Sequence, residues 1–409
     1  MKRLLLLFFL IISCNQPNGI SVDSQTHLLP YPNQIFLQKN TINLGKGLNV
    51  SNGIYSSYLK DQLLLNNIPN DKGVKVVFEK SIIDTLGEEG YQLIAKNNKI
   101  SILSNTKAGT FYGIQTLIQL TRLGVVQELE IIDKPQFKWR AYMLDEGRYF
   151  QGKEVVKYIL NEMAHLKMNV FHWHLTDDAG WRIEIKKYPL LTQIGSKRDS
   201  TQINYQGKKW GSEVFDGVPH EGFYTQDDIK EIVAHAENLN ITIIPEIAMP
   251  GHASAAIASY PFLGSSTQPI KVPERFGVGE VIFNPASPKT IVFIQDVLKE
   301  VSDLFPGNII HIGGDEAKYD LWKINEDIKA LMKENQLENY SDVQVHFTNN
   351  ISDYINSVLG KRMMGWNEIM GNNLHNWENN DDNATTKLSK NNIKSERNYS
   401  RTNECYRTS

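Results

Sequence analysis

Between Tyr142 and Trp366, short apolar runs alternate regularly with amphipathic helical patterns, and this alternation limits the folds open to the chain more than any other feature. The apolar runs lie at 142–144, 169–175, 241–247, 309–313 and 362–366. The helical patterns between them lie at 155–165, 229–237 and 291–304, with further segments up to Val358. Strands that alternate strictly with helices predict a parallel sheet.

The placement of polar residues distinguishes a barrel from an open sheet. No glycine-rich phosphate fingerprint follows the first strand, whereas almost every strand ends in carboxylates, histidines, arginine or tryptophan. Such groups at the carboxyl ends of successive strands are typical of a (β/α)8 active site. We therefore predict an α/β fold with a TIM barrel over 135–374. The barrel is predicted to be incomplete, because only five strands are found and a polar tail follows at 375–409.

The residues before this alternation indicate a separate small α/β domain over 28–132. Two alternating segments, 90–94 and 100–103, flank an Asn97-Asn98 turn, which is a hairpin signal. Apolar residues at helical spacing over 108–120 predict a helix that covers one face of this hairpin.

The first residues resemble an export signal. Lys2 and Arg3 precede an apolar run at 4–12, which is about half of the roughly 20 residues needed to span a bilayer. The run closes on Ile-Ile-Ser-Cys, which resembles a bacterial lipoprotein box. We expect a signal peptide over 1–14, lipidation of Cys14, a tether over 15–27 and a location in the cell envelope, anchored to a membrane outside the cytoplasm. The alternative is an ordinary secretory signal with an incidental cysteine.

Composition excludes several other classes of protein. Of 409 residues, 41% are hydrophobic and 22% are charged, and the net charge is −3. The chain can therefore bury a core, and it has no basic surface for a nucleic acid. Its two cysteines, Cys14 and Cys405, build neither a disulfide framework nor a cysteine-rich zinc site.

The motif HIGGDE at 311–316 is the sharpest chemical signal. A buried strand opens into two glycines, which permit a close approach of ligand, and then into the adjacent carboxylates Asp315 and Glu316. Like-charge proximity and burial can raise the pKa of one carboxyl while the other stays ionised, which predicts one proton donor and one anion. The alternative is that both residues favour the N-terminus of a helix beginning near Lys318.

The motif FHWHLTDD places His172 and His174 on one face of a strand. Two imidazoles on one strand raise the hypothesis of a metal-dependent hydrolase that binds zinc. Such a site needs ligands from later strands, for which His252 and the carboxylates at 315–316 are available. The third interpretation is that both histidines are core residues that hydrogen-bond the carboxylates at 177–178.

Three further strand ends carry candidate binding groups. In PEIAMPGH a strand ends at Glu246, and two prolines form a rigid turn that presents His252. Arginine reaches the same face at Arg140 and at Arg148, and a guanidinium suits vicinal hydroxyls; an ion pair of Arg148 with the nearby aspartate at 145 is the alternative. Trp366 can stack on a sugar ring or belong to the core.

These segments together resemble glycoside hydrolase family 20, the β-N-acetylhexosaminidases. The motifs HIGGDE, HWHLTDD…GWR, PEI..MPGH and GW.E occur in the family order. The similarity is dense from about Pro135 to Met370, and residues 30–120 resemble the small domain that precedes the barrel in that family.

The resemblance implies retaining hydrolysis of terminal non-reducing N-acetylglucosamine or N-acetylgalactosamine from glycans, in which the substrate's own 2-acetamido oxygen attacks C1. Asp315 is implied to orient the acetamido group and to stabilise positive charge, and Glu316 to protonate the leaving oxygen. The resemblance also implies that Arg140 binds sugar hydroxyls and Trp366 walls the acetamido pocket. It implies neither a metal nor a cofactor. It further implies that Asp178 and His252 support Glu316 from behind, and His311 is also expected to support the site.

Two other functions stay open at this point. One is a truncated, non-catalytic family member, because the tyrosine and tryptophans that the family draws from later strands have no counterpart after about Leu374. The other is the metal-dependent hydrolase with His172 and His174 as ligands.

Overall fold

The computed structural model describes residues 27–70, 72–203, 212–266 and 268–371. The predicted signal peptide, Cys14 and the tail after residue 374 therefore lie outside the described residues. The chain divides into two compact units, Met1–Gln136 and Phe137–Ser409. Within the described ranges, no helix is both long and apolar enough to cross a membrane.

Over its described residues, the first unit is a mixed six-stranded sheet with two α-helices. Its central hairpin forms as the sequence predicts, because Asn97 and Asn98 both adopt the left-handed conformation, with φ of 51° and 59°. The sheet order is β1-β6-β4-β5-β3-β2, and α2 packs on β4 and β5. The elements are β1 (Gln34–Asn43), β2 (Leu48–Val50), α1 (Ser56–Leu65), β3 (Val74–Lys80), β4 (Tyr91–Lys96), β5 (Lys99–Ser104), α2 (Lys107–Thr121) and β6 (Val125–Asp133).

The second unit contains the predicted alternation of strands and helices. The larger elements in chain order are β7 (Ala141–Asp145), α3 (Lys153–His165), β8 (Val170–Asp177), β9 (Gly180–Trp181), α4 (Leu190–Gln193), β10 (Lys197–Arg198), β11 (His220–Glu221), α5 (Gln226–Asn238), β12 (Thr242–Ile247), α6 (Ser254–Ser259), α7 (Pro288–Leu304), β13 (Ile309–His311), α8 (Asp320–Lys323), α9 (Glu326–Glu334), α10 (Tyr340–Ser357) and β14 (Arg362–Met364).

Five parallel strands of the described residues form one sheet in the order β14-β13-β12-β8-β7, and β9 adds an antiparallel pair to β8. Each strand lies beside its predecessor in the chain, as in the wall of a (β/α)8 barrel, which confirms the predicted fold class. The sheet is open over the described ranges. Every residue of β8 is buried, as expected for a strand covered on both faces.

Two strands end earlier than the sequence predicts. β13 stops at His311 because Gly313 and Gly314 have φ of 69° and 99°, outside the extended region. β14 stops at Met364, and the backbone N–H of Trp366 then donates to the carbonyl of Gly313 (2.9 Å). The two early endings turn both segments over the same edge of the sheet.

Candidate active site

One row of residues crosses the sheet near the carboxyl ends of its strands. The register aligns Asp145 with His174, His174 with Glu246, Glu246 with His311, and His311 with Met364. Since parallel strands end at a common edge, the segments that follow this row converge above it. The strand-end motifs of the sequence are therefore brought together by the fold.

His252 lies at the centre of this convergence and is surrounded by carboxylates. Its Nδ1 is 3.1 Å from Oδ2 of Asp178 and 3.5 Å from Oδ1 of Asp177, and its Nε2 is 3.5 Å from Oδ2 of Asp315 and 3.4 Å from Oε2 of Glu316. Burial lowers the pKa of this imidazole, but the carboxylates of Asp177, Asp178 and Asp315, which face its ring nitrogens as acceptors, outweigh burial and raise the pKa to about 12. The ring is an imidazolium that joins the two strand-end carboxylate pairs.

Asp178 is held rigidly behind His252. Its Oδ1 accepts hydrogen bonds from the backbone N–H (3.0 Å) and the hydroxyl of Ser254, and its Oδ2 accepts from the backbone N–H of Gly279 (2.9 Å). Burial raises the pKa of this carboxyl, but the contacts with His252 and Ser254 hold it below its usual value. Asp178 therefore stays ionised and fixes the orientation of the imidazolium.

Asp315 and Glu316 follow the two glycines in a compact turn. A Cβ on Gly314 would lie 2.1 Å from Cγ2 of Ile369, so the turn has no room for a side chain there. Burial raises the pKa of Asp315, but the hydrogen bond and charge of His252 lower it on balance. Glu316 has a left-handed backbone (φ 49°), and its side chain is half exposed. Neither residue caps a helix, because α8 begins only at Asp320.

The arginine of the site is Arg148, and the prediction for Arg140 is wrong. Arg140 precedes β7, at the end of the strand opposite to the row described above, and its guanidinium donates to the carbonyls of Lys167 (2.6 Å) and Phe137 (2.7 Å). Arg148 follows the carboxyl end of β7 instead. Its guanidinium contacts the carboxylates of Asp145 (2.6 Å) and Asp177 (3.2 Å).

Trp366 and His311 are brought beside a buried carboxylate that the sequence did not assign to the site. The Trp366 indole N–H donates to Oε1 of Glu246 (3.0 Å), and Nδ1 of His311 lies 3.3 Å from the same oxygen. Nε2 of His172 lies 2.6 Å from Oε2 of Glu246. Glu246 and His311 are fully buried. Trp366, the expected wall of the pocket, thus contacts a buried carboxylate on its polar edge.

The predicted pair of zinc ligands does not converge on one candidate site. Among the described residues, three groups place potential ligand atoms within 4.8 Å of one another, and His174 belongs to none of them. Nε2 of His174 lies 2.9 Å from the carbonyl oxygen of Thr176, which accounts for it as a buried, hydrogen-bonded residue. The three groups are His172–Glu246–His311, Asp177–Asp178–His252 and His252–Asp315–Glu316.

A buried arginine organises the loops that carry these groups. Arg182 has no exposed surface, and burial is the main reason why its pKa falls to about 10. Five backbone carbonyls from separate parts of the loops accept its hydrogen bonds, so one guanidinium ties together the segments next to Arg148 and Asp178. The only sequence signal for it was its place in the GWR segment. The acceptors belong to Glu146, Gly147, Ala179, Ser196 and Gly222.

Family models account for most of the chain. The model described as glycosyl hydrolase family 20, catalytic domain, matches residues 137–403, and the model for domain 2 of the same family matches residues 25–134. The chain belongs to glycosyl hydrolase family 20. The catalytic-domain match extends through most of 375–409, a segment that we interpreted as a tail outside the family.

Curated relatives and solved structures from this family cover the described units. A beta-hexosaminidase of Porphyromonas gingivalis is 37% identical over 326 residues, which are 77% of this chain and 40% of that protein. One from Vibrio furnissii is 37% identical over 83% of this chain and 57% of its own length. The crystal structure of a GH20 exo beta-N-acetylglucosaminidase from Vibrio harveyi, in complex with N-acetylglucosamine, matches with a TM-score of 0.72 and 33% identity, over 85% of this chain and 55% of that one. The chain thus spans about half the length of these relatives.

Proposed function

We propose that this chain is a β-N-acetylhexosaminidase that releases terminal non-reducing N-acetylglucosamine or N-acetylgalactosamine from glycans by substrate-assisted, retaining hydrolysis. The contact of one buried imidazolium with Asp178 on one side and with both Asp315 and Glu316 on the other carries the proposal. The adjacent carboxylates also have two different environments, because the Asp315 side chain is 25% exposed and that of Glu316 is 53% exposed, and acid catalysis beside an anion requires such a difference. Membership of family 20 and the named relatives support the same activity.

In the first step the acetamido oxygen of the substrate attacks C1, and the glycosidic C–O bond breaks as Glu316 transfers its proton to the leaving oxygen. The product is an oxazolinium ion, and the electron pair of the broken bond leaves with the aglycone. The contact with His252 keeps Asp315 ionised. Its carboxylate accepts a hydrogen bond from the acetamido N–H and stabilises the positive charge that develops on the ring. His252 lies 3.4 Å from Glu316 and can donate to its carboxylate once the proton has left.

In the second step Glu316 accepts a proton from water as the water oxygen attacks C1. The C1–oxygen bond of the oxazolinium ion breaks, which regenerates the acetamido group with retained configuration and returns the proton to Glu316. Arg148 faces this site and binds sugar hydroxyls, and Trp366 walls the acetamido group. Neither step calls on a metal or a cofactor.

The test compares aryl N-acetyl-β-glucosaminides that differ in the pKa of the leaving phenol. Glu316→Gln should lower kcat/KM by about 10²–10⁴-fold for a phenol of high pKa, which needs a proton, and by less for 4-nitrophenol. Asp315→Asn should lower kcat/KM for all of them, because it acts on the acetamido group. If Glu316→Gln has the same kcat/KM as the unaltered chain on every substrate, the assignment of Glu316 as the acid is wrong. If the unaltered chain binds N-acetylglucosamine without turnover, the non-catalytic hypothesis replaces this one.

We also propose that Cys14 is lipidated and anchors the protein to a membrane outside the cytoplasm. The basic and apolar residues before it and the lipoprotein-like box support the proposal. In a bacterial host fed labelled palmitate, the unaltered chain should carry label and sediment with membranes. Cys14→Ser should lose both properties, and equal label in both proteins would refute the anchor.

A further inference from the structure

Glu246, at the carboxyl end of β12, is a buried carboxylate that no step of the proposed mechanism uses. One of its oxygens, Oε1, accepts the indole N–H of Trp366 (3.0 Å), and the other, Oε2, lies 2.6 Å from Nε2 of His172. Both partners thus restrict rotation of the carboxylate. A charged side chain without exposed surface is retained only where such partners replace water.

His172 and His311, which both lie beside Glu246, also pack against the indole of Trp366. The ring of His172 lies 5.6 Å from the Trp366 ring with an interplanar angle of 38°, and that of His311 lies 4.9 Å away in an edge arrangement at 66°. The histidine rings are 4.5 Å apart. The indole therefore meets two imidazoles along its surface and one carboxylate at its N–H, and these contacts define its plane.

We propose that Glu246 is a positioning residue that fixes the plane of the Trp366 indole and thereby sets the size of the N-acyl group that the pocket accepts. The proposal rests on the proposed function, because it takes Trp366 as the wall of the acetamido pocket. Without the hydrogen bond at its N–H, the indole would be held by ring packing alone and could tilt within the pocket.

The charge of Glu246 is part of this function. Burial raises the pKa of its carboxyl, but the neighbouring imidazoles of His311, His174 and His172 outweigh burial and hold the pKa well below its usual range. Burial also lowers the pKa of His172, whose Nε2 lies 2.6 Å from Oε2 of the anion. Hydrogen bonds to an ionised acceptor are about twice as strong as neutral ones, so an amide at this position would hold the indole more weakly.

The first experiment measures selectivity between N-acetyl and N-propanoyl forms of the same aryl β-glucosaminide. A hydrophobic pocket typically discriminates one methylene by roughly 10–200-fold, and we expect Glu246→Gln to reduce the ratio of kcat/KM values by about fivefold or more. Trp366→Phe, which removes the N–H donor, should do the same. The double variant should show no further loss, because both changes break one link. Additive losses, or an unchanged ratio in Glu246→Gln, would overturn the proposal.

Glu146→Gln provides a matched control. Glu146 is also a fully buried carboxylate that accepts an indole N–H, from Trp173 at 2.7 Å, and Trp173 belongs to the core. The control should lower stability as Glu246→Gln does but leave the acyl selectivity unchanged. An equal loss of selectivity in the control would assign the effect to general destabilisation and would refute a positioning role for Glu246.

A second readout needs no turnover. The indole N–H resonance of Trp366, identified by its loss in Trp366→Phe, should exchange with solvent about tenfold faster in Glu246→Gln than in the unaltered chain. If the unaltered chain hydrolyses neither substrate, the proposed function fails and this resonance alone decides the link to Glu246. If Glu246→Gln does not fold, Glu246→Asp, which keeps the charge but shortens the reach, takes its place. An unshifted, equally protected resonance would overturn the proposal in either case.

Discussion

Replacing His252 should change the way in which stability of the second unit depends on pH. Carboxylate oxygens from Asp177, Asp178, Asp315 and Glu316 lie within 3.5 Å of its two ring nitrogens, and the side chain is almost fully buried. These contacts raise its pKa from 6.5 to about 12, although burial opposes them. The folded protein therefore keeps a proton on this ring over the whole range in which the unfolded chain loses it.

The sign and the size of the effect follow from this difference. Because the folded pKa is raised, the stabilisation is fully present below pH 6.5 and is lost progressively as the pH rises towards 12. One proton bound only by the folded state lowers the free energy of unfolding by about 1.4 kcal/mol for each pH unit in that window. For a unit of 150–250 residues this corresponds to roughly 3–6 °C in Tm per pH unit.

Thermal unfolding of the unaltered chain and of His252→Gln between pH 7 and pH 9 tests the prediction. The variant should be less stable throughout, because it leaves buried carboxylates without their counter-charge. The diagnostic quantity is the difference in Tm between the two proteins, which should shrink by about 3–6 °C per pH unit. Other titrating groups are common to both and cancel. Parallel pH profiles, or a His252 ring resonance that titrates between pH 5 and pH 8, would refute the imidazolium.

Three further predictions test other parts of the structure. Arg148→Lys should lower kcat/KM by about 100-fold, because lysine cannot make the forked contacts of the guanidinium. Arg140→Lys, at the opposite end of β7, should change kcat/KM by less than about twofold. If Arg140→Lys has the larger effect, the original assignment of Arg140 to the site is correct. Gly314→Ala should destabilise the second unit by about 1–3 kcal/mol, because the added Cβ meets Ile369 and φ is positive; an unchanged Tm would contradict this. Arg182→Met should cost about 3–5 kcal/mol by leaving its carbonyl acceptors unpaired, and an active variant of normal Tm would contradict that.

Much of the fold could be predicted because its determinants are local. The Asn97-Asn98 turn needs only two residues that tolerate positive φ, and helix α7 needs only apolar residues at helical spacing, found at 288–304 rather than the predicted 291–304. Asp315, Glu316 and His252 were found because each stands directly after a strand. Their convergence then follows from parallel strand order alone.

The errors concern properties that depend on the assembled fold. Arg140 and Arg148 differ by only eight positions, and their assignment depends on where β7 begins, which is uncertain from sequence by several residues. In the sequence, Glu246 and Arg182 resemble ordinary charged residues near strand ends. A sequence does not show which charged side chain will be fully buried in the folded protein. Only the packed structure reveals the partners that make such burial tolerable.

The backbone of the site has a consequence for the evolution and engineering of this chain. Among the described residues, eight other than glycine have φ in the left-handed region; four are asparagines, and the others are Lys167, His252, Glu316 and Gln336. Asparagine and glycine are the residues best suited to that conformation, so Glu316 occupies a position where its own backbone preference is poor. A search for more stable variants would favour asparagine or glycine at position 316. Selection for stability alone would thus remove the residue to which the proposed proton transfer is assigned.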